Sequence, residues 1–130
     1  MEIYIYIYTF KFLIFFTLEH TEVRYGPIFI GYSPTGLRVS NIPNRTMRLK
    51  TILHGGTSDM TIANFYHYLR ELHIILESKP YCLFYFNCRH VTIRILNKLE
   101  CQDMTGKVIR NTFENNLFRF KLCPKTGPFF

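Results

Sequence analysis

The sequence predicts a single α+β domain in which a small antiparallel sheet packs against two main helices. Three observations support this prediction. The chain has 130 residues, of which 48% are hydrophobic, and this is enough for one compact core and too apolar for a disordered chain. Its first forty residues are rich in strand formers separated by glycine and proline turns, and two later segments repeat apolar residues at helical spacing.

The chain begins with an apolar segment over residues 1–18. Ile3, Ile5 and Ile7 alternate with tyrosines there, which predicts a strand buried on both faces. The alternative is a membrane anchor, but the segment is short for a spanning helix and carries Lys11 in its middle. It also lacks the basic start and the cleavage site of a signal peptide. We therefore favour the strand and keep membrane association through residues 1–18 as the alternative.

The next part of the chain predicts two or three short antiparallel strands. Strand formers between residues 19 and 40 are interrupted by turns at Gly26-Pro27 and at Ser33–Gly36. One further strand is expected around Leu49–Leu53.

Two helices follow. The first is expected at about Asp59–Leu76, with Ser58 or Asp59 as its cap and His73 as a partly buried packing residue. Its predicted buried stripe consists of Ile62, Phe65, Tyr66, Leu69, Leu72 and Leu76. After an extended segment, Tyr81–Phe86, Asn87 is expected to cap the second helix, Cys88–Leu99.

Net charge and cysteine content restrict the functions that the chain can have. The net charge of +7 predicts an acidic partner. The basic residues are dispersed and no helix-turn-helix, zinc-finger or RNP pattern occurs, so nucleic acid is not expected as the partner. Cys82, Cys88, Cys101 and Cys123 form no C-x-x-C pair, which favours free thiols in a reducing compartment, the cytoplasm or the nucleus. The same spacing predicts no metal site.

Cys88 is the candidate nucleophile. At the first turn of a helix, unpaired N–H groups and the helix dipole favour a thiolate. His90 lies two positions further on, about 200° around the helix, so it cannot face the Cys88 sulfur and is expected to face solvent or a partner. The base must then come from elsewhere in the chain. His20 is the best candidate, because it begins a predicted strand where the apolar segment ends.

The segment YCLFYFNCRHVTIRILNKL resembles the nucleophile motif of the PPPDE superfamily, the permuted papain-like cysteine isopeptidases that include the desumoylating isopeptidases. HTEVRYGPIFIGYSPTGL resembles the strand that carries that family's histidine, and ILHGGTSDMTIANFYHYLREL resembles its connecting helix. MTGKV resembles the sequence that follows the second helix. Together these segments cover about residues 20–109 and leave 110–130 as a tail.

The resemblance implies a permuted papain-like (NlpC/P60-type) fold for residues 20–109, which are expected to form the core of a single domain over residues 1–130. It implies Cys88 as nucleophile and His20 as base and acid, a dyad without an obligatory carboxylate, with Asn87 as support for the site. No metal or organic cofactor is implied. The implied activity is that of a cysteine isopeptidase (a thiol protease) that cleaves ubiquitin or SUMO conjugates, so the expected partner is a ubiquitin-like modifier.

Two alternatives come from other functional classes. One is a non-catalytic structural or interaction protein of a large DNA virus, a divergent viral member that retains the fold. The other is an enzyme similar to lipid acyltransferases or thioesterases, which the apolar residues 1–18 would suit. The related Asn-Cys-x-His motif of lecithin–retinol acyltransferase-like proteins is matched by residues 87–90.

Overall fold

The computed structural model describes residues 1–12, 16–78 and 88–99. Within these ranges it is a small α+β domain with five strands followed by two helices. The elements are β1 (Glu2–Phe12), β2 (Phe16–Tyr25), β3 (Ile28–Ser33), β4 (Gly36–Ser40), β5 (Arg48–Thr57), α1 (Ile62–Glu77) and α2 (Cys88–Lys98). The predicted extended segment Tyr81–Phe86, the cap Asn87, the MTGKV segment and the tail 110–130 lie outside the described residues.

The apolar N-terminal segment supplies a central strand of the sheet. The strand order is β4-β3-β2-β1-β5, and all neighbouring strands are antiparallel. Ile3 and Ile5 are fully buried on one face of β1, and Tyr6 and Tyr8 are buried on the other. The alternation of isoleucine and tyrosine therefore corresponds to a strand that is buried on both faces. Within the described ranges, no helix has the length and apolar character that crossing a membrane requires.

One face of the sheet carries both helices. Ile3 and Ile5 of β1 oppose Tyr25 and Val23 of β2, and this apolar face packs with α1 and α2 in one core. The Tyr25 ring meets the Phe65 ring of α1 edge-on, with the centroids 4.8 Å apart. Burial of such large side chains is the main source of stability in a domain of this size.

Helix α1 begins later than the sequence predicts. Its N-cap is Thr61, whose hydroxyl accepts a hydrogen bond from the Asn64 N–H, and not Ser58 or Asp59. Ser58 is already used at the end of β5, because its N–H donates to the Met1 carbonyl and its own carbonyl accepts from the Met1 amino group. These contacts hold Ser58 at the end of β5, and its hydroxyl accepts from the Met60 N–H, so the helix begins after Thr61.

The buried stripe of α1 is also narrower than predicted. Phe65, Leu69, Leu72 and Leu76 are buried, whereas Tyr66 is 41% exposed because it lies about 100° around the helix from Phe65. His73 was predicted to be a partly buried packing residue, and this prediction was wrong. The residue is exposed, with 52% of its side chain accessible, and it pairs with Glu77 one helical turn further on.

The start of α2 lies at the side of β2 where the pairing with β3 ends. β3 pairs with β2 over Glu22–Tyr25, and Thr21 lies just outside this paired stretch. The Thr21 hydroxyl is 3.0 Å from that of Thr92, one helical turn beyond Cys88, and this contact ties α2 to β2. The topology therefore brings the first residue of α2 beside the middle of β2.

Candidate active site

Cys88 is held against β2 by a backbone hydrogen bond. The N–H of Thr21 donates to the Cys88 sulfur at a distance of 3.5 Å. The sulfur is buried, with only 4% of the residue exposed. This N–H is one that a neighbouring strand would otherwise bind, and here it favours negative charge on the sulfur instead.

His20 contacts the thiol from the strand position before Thr21. The residue is only 5% exposed. Its ring interacts with the Cys88 thiol through hydrogen bonding and charge, and this interaction raises the pKa of the imidazole. The ring atom Nε2 lies 2.8 Å from Oε2 of Glu22. Since Nε2 is engaged by Glu22, Nδ1 is the ring nitrogen left for the sulfur. The structure thus brings together the predicted nucleophile and the predicted base, from residues 68 positions apart.

Glu22 is a third member of this site, which sequence reasoning missed. It is two positions from His20, and side chains two apart lie on the same face of a strand. The carboxylate is 2% exposed and also accepts hydrogen bonds from Asn44 Nδ2 at 3.1 Å and Arg38 Nη1 at 3.4 Å. The resemblance implied a dyad without an obligatory carboxylate, whereas the structure adds a buried carboxylate behind the imidazole. The His-x-Glu spacing within a predicted strand was the signal for it.

The pKa values show what this contact network does. Burial, the largest effect, lowers the pKa of His20, but hydrogen bonds to Cys88 and Glu22 outweigh burial and raise that pKa to about 9. For Cys88, burial raises the thiol pKa, while His20 and the Thr21 N–H lower it, and the net direction is downward. Burial likewise raises the pKa of Glu22, but His20, Asn44 and Arg38 bring it below its usual value. Together these shifts favour the ionised form of all three groups, a thiolate beside an imidazolium that is paired with a carboxylate.

The Tyr8 ring packs beside the His20 imidazole. It is directly opposite His20 in the β1–β2 register, and the two ring centroids are 6.2 Å apart. Burial and the negative charge of Glu22 raise the pKa of Tyr8 to about 12, so the hydroxyl stays protonated. Among the buried side-chain polar atoms of the described residues, this hydroxyl lacks a hydrogen bond of normal geometry, although the Asn44 backbone lies near it.

The prediction that His90 faces solvent or a partner was wrong. His90 is 7% exposed, because α2 is buried around much of its circumference and not along a single stripe. Burial, followed by the positive charge of Arg89, lowers the pKa of His90 to about 4. A neutral buried histidine is therefore part of the core, and it contributes to the acid sensitivity of the fold.

Acidification from pH 7 to pH 5 should destabilise the protein through His90. The unfolded side chain titrates near 6.5 and the folded one near 4, so the unfolded state takes up the proton first. The contribution of His90 to the free energy of unfolding is largest above pH 6.5 and declines as the pH falls towards 4, by about 2 kcal/mol between pH 7 and pH 5. Urea unfolding of the wild type and of His90→Gln at both pH values measures this decline. The wild type should lose more stability than the variant, and equal losses would contradict the assignment.

The other histidines of the described chain lie away from this site. His54, His67 and His73 are exposed and lie beside Glu2, Glu71 and Glu77, respectively. Asn87, the predicted support for the site, lies outside the described residues, as do Cys82, Cys101 and Cys123. Within residues 1–12, 16–78 and 88–99, no group of three or more histidine, cysteine, aspartate or glutamate side chains is arranged to hold a metal ion.

Comparisons of the chain with protein-family models, with curated proteins and with solved structures find no match. A functional conclusion therefore depends on the chemistry of the residues that meet at Cys88.

Proposed function

We propose that this chain is a thiol hydrolase with a permuted papain-like fold, and that it acts as a cysteine isopeptidase on conjugates of ubiquitin or SUMO. The observation that carries the proposal is the continuous contact from the Cys88 thiol through the His20 imidazole to the Glu22 carboxylate. A nucleophile beside a base, with the base oriented by a third group, is the arrangement that covalent hydrolysis requires. The resemblance of residues 20–109 to the PPPDE superfamily supplies the substrate class.

The proposed reaction has two steps. The Cys88 thiolate attacks the isopeptide carbonyl, and His20 gives its proton to the departing lysine amine, leaving a thioester on Cys88. Water then attacks the thioester and His20 accepts a proton from it. The bond between carbon and sulfur breaks, which releases the carboxyl end of the modifier and restores the Cys88 thiolate and the His20 imidazolium. Glu22 keeps the imidazole oriented and stabilises its positive charge in both steps.

The burial of the site restricts its substrate. Cys88 and His20 are each no more than 5% exposed, and a narrow, extended chain end suits such a buried pair better than a bulky substrate. The C-terminal tail of a ubiquitin-like modifier has this form. The net charge of +7 suits an acidic modifier as the partner.

Activity-based labelling tests the proposal. Ubiquitin and SUMO probes that end in an electrophile should form a covalent adduct with the intact protein at Cys88, and the variant Cys88→Ala should form none. The variant Glu22→Gln keeps the shape of the side chain but loses its charge, so it should label about tenfold more slowly. Mass spectrometry of the modified peptide separates Cys88 from the other three cysteines.

Two results would contradict the isopeptidase assignment. If no ubiquitin-like probe labels a protein whose Cys88 still alkylates readily, the site is not used on these modifiers. Release of a fatty acyl chain from a lipid thioester under the same conditions would then favour the acyltransferase-like alternative. If Cys88 is also unreactive towards small alkylating agents, a non-catalytic interaction protein is favoured.

A further inference from the structure

The Glu22 carboxylate is held in place by residues outside its own strand. Asn44 lies between β4 and β5, in the connector 41–47, and its Nδ2 donates to Oε2 of Glu22. The amide oxygen of Asn44 accepts hydrogen bonds from the N–H and hydroxyl of Thr46, at 2.8 and 2.7 Å. Because Thr46 engages the oxygen, the orientation of the amide is determined and its NH₂ group faces Glu22.

Arg38 makes the second contact of this kind. From β4, its Nη1 lies 3.4 Å from Oε1 of Glu22, and its Nη2 donates to the carbonyl of Ile42 at 2.8 Å. One guanidinium therefore joins the carboxylate to the connector. The connector is anchored further by Met47, which packs on Tyr6, Tyr8 and Phe29 on the sheet face opposite the helices.

We propose that Asn44 is a positioning residue for thiol activation, acting through Glu22, with Arg38 as a second and weaker donor to the same carboxylate. The proposal rests on the proposed function, since it concerns the orientation of the same imidazole. Hydrogen bonds from charged or amide donors hold a carboxylate in one rotamer and in its ionised form. Without the Asn44 amide, Glu22 is free to turn from His20, and the imidazolium that stabilises the Cys88 thiolate is weakened.

Among the described residues, charged and titratable groups on four elements lie near this carboxylate. His20 is on β2, Tyr8 on β1, Arg38 on β4, and Cys88 on α2 beyond the imidazole. Tyr8 remains neutral below pH 10, so a change in activation between pH 5 and 9 reports the Cys88–His20–Glu22 network.

The test is the pH profile of Cys88 alkylation by iodoacetamide in the full-length chain. For Asn44→Ala, the acidic limb of the profile should move to higher pH, and the rate at pH 6 should fall about three- to tenfold. The plateau at high pH should stay unchanged, because the thiol is fully ionised there in either protein. A variant that only loosened the fold would alter the plateau as well, through access to the buried sulfur.

Two further variants complete the design. Arg45→Ala changes the exposed neighbour of Asn44 and should leave the profile of the wild type unchanged. Arg38→Met, at a side chain that is 42% exposed, should shift the acidic limb in the same direction as Asn44→Ala but by less. It also serves as the test if Asn44→Ala does not fold, because the proposal requires this shift.

The outcomes separate this proposal from the function it rests on. If Glu22→Gln shifts the profile and neither Asn44→Ala nor Arg38→Met does, the positioning role is overturned and the hydrolase proposal stands. If neither His20→Gln nor Glu22→Gln shifts it, the thiol is not activated by these residues and both proposals fail.

Discussion

Replacing His20 with glutamine should slow the alkylation of Cys88 by about tenfold or more near pH 7. The glutamine amide still reaches Glu22 but carries no positive charge, so the contact that lowers the pKa of the thiol is lost. The buried thiol is then mostly protonated at pH 7, and only the thiolate reacts with iodoacetamide. Rates measured from pH 5 to pH 10, with peptide mapping by mass spectrometry, give the result for Cys88 alone.

The pH dependence provides the internal check for this variant. The rates of wild type and His20→Gln should converge at high pH, where both thiols are ionised and only access to the sulfur limits the reaction. His67→Gln is the matched control, because His67 is an exposed histidine on α1 that pairs with Glu71. If His20→Gln and His67→Gln both follow the wild-type profile, Cys88 is an ordinary buried cysteine.

Replacing Gly31 with alanine should cause a loss of similar size, although none of the three site residues is itself replaced. Gly31 opposes Glu22 in the β2–β3 register, and a Cβ at this position would lie 2.6 Å from Oε2 and 2.7 Å from Cδ of Glu22. The carboxylate is the end of a flexible side chain, so it moves and the backbone stays. Its 2.8 Å contact with His20 is lost, and we expect Cys88 to alkylate about tenfold more slowly at pH 6.

Gly55 offers a matched control for the added methyl group. A Cβ at Gly55 would meet Ile3 at 3.1 Å and Ile5 at 3.3 Å, in the core and away from His20. Gly55→Ala should therefore cost about 1–3 kcal/mol of stability through overpacking and leave the alkylation profile unchanged. In the Glu22→Gln background, Gly31→Ala should add little further loss, because both changes remove the same contact. Full additivity of the two losses would show that Gly31 acts by another route.

The elements of the fold were largely predictable, because their signals are local. The isoleucine–tyrosine alternation of residues 3–8 and the glycine turns identify strands, and the spacing of Phe65, Leu69, Leu72 and Leu76 identifies a helix. The errors lie where tertiary contacts compete with local preference. Ser58 is a good cap by residue type, but it binds Met1 at the end of β5, and the helix begins after Thr61 instead.

Only part of the candidate site could be predicted from the sequence. Cys88 at a helix start is a local feature, and His20 was chosen from its context and from the family resemblance. Glu22 had a local signal in its His-x-Glu spacing, but Asn44, Arg38 and Gly31 lie beside it only through strand register and the path of the connector 41–47. The burial of His90 was missed for the same reason, since residues on the side opposite Cys88 are covered only once α2 is packed in the domain.

By itself, therefore, the sequence determined the strands, the helices and the position of a thiol at a helix start, since backbone preference and side-chain periodicity act over a few residues. Only the tertiary structure decided which groups surround that thiol. A hydrogen bond such as that between Glu22 and Asn44 depends on two side chains whose directions are set by different elements, 22 residues apart in the chain. The charge state of Cys88 follows from that arrangement, because desolvation and paired charges depend on what is packed around a group and not on its neighbours in sequence.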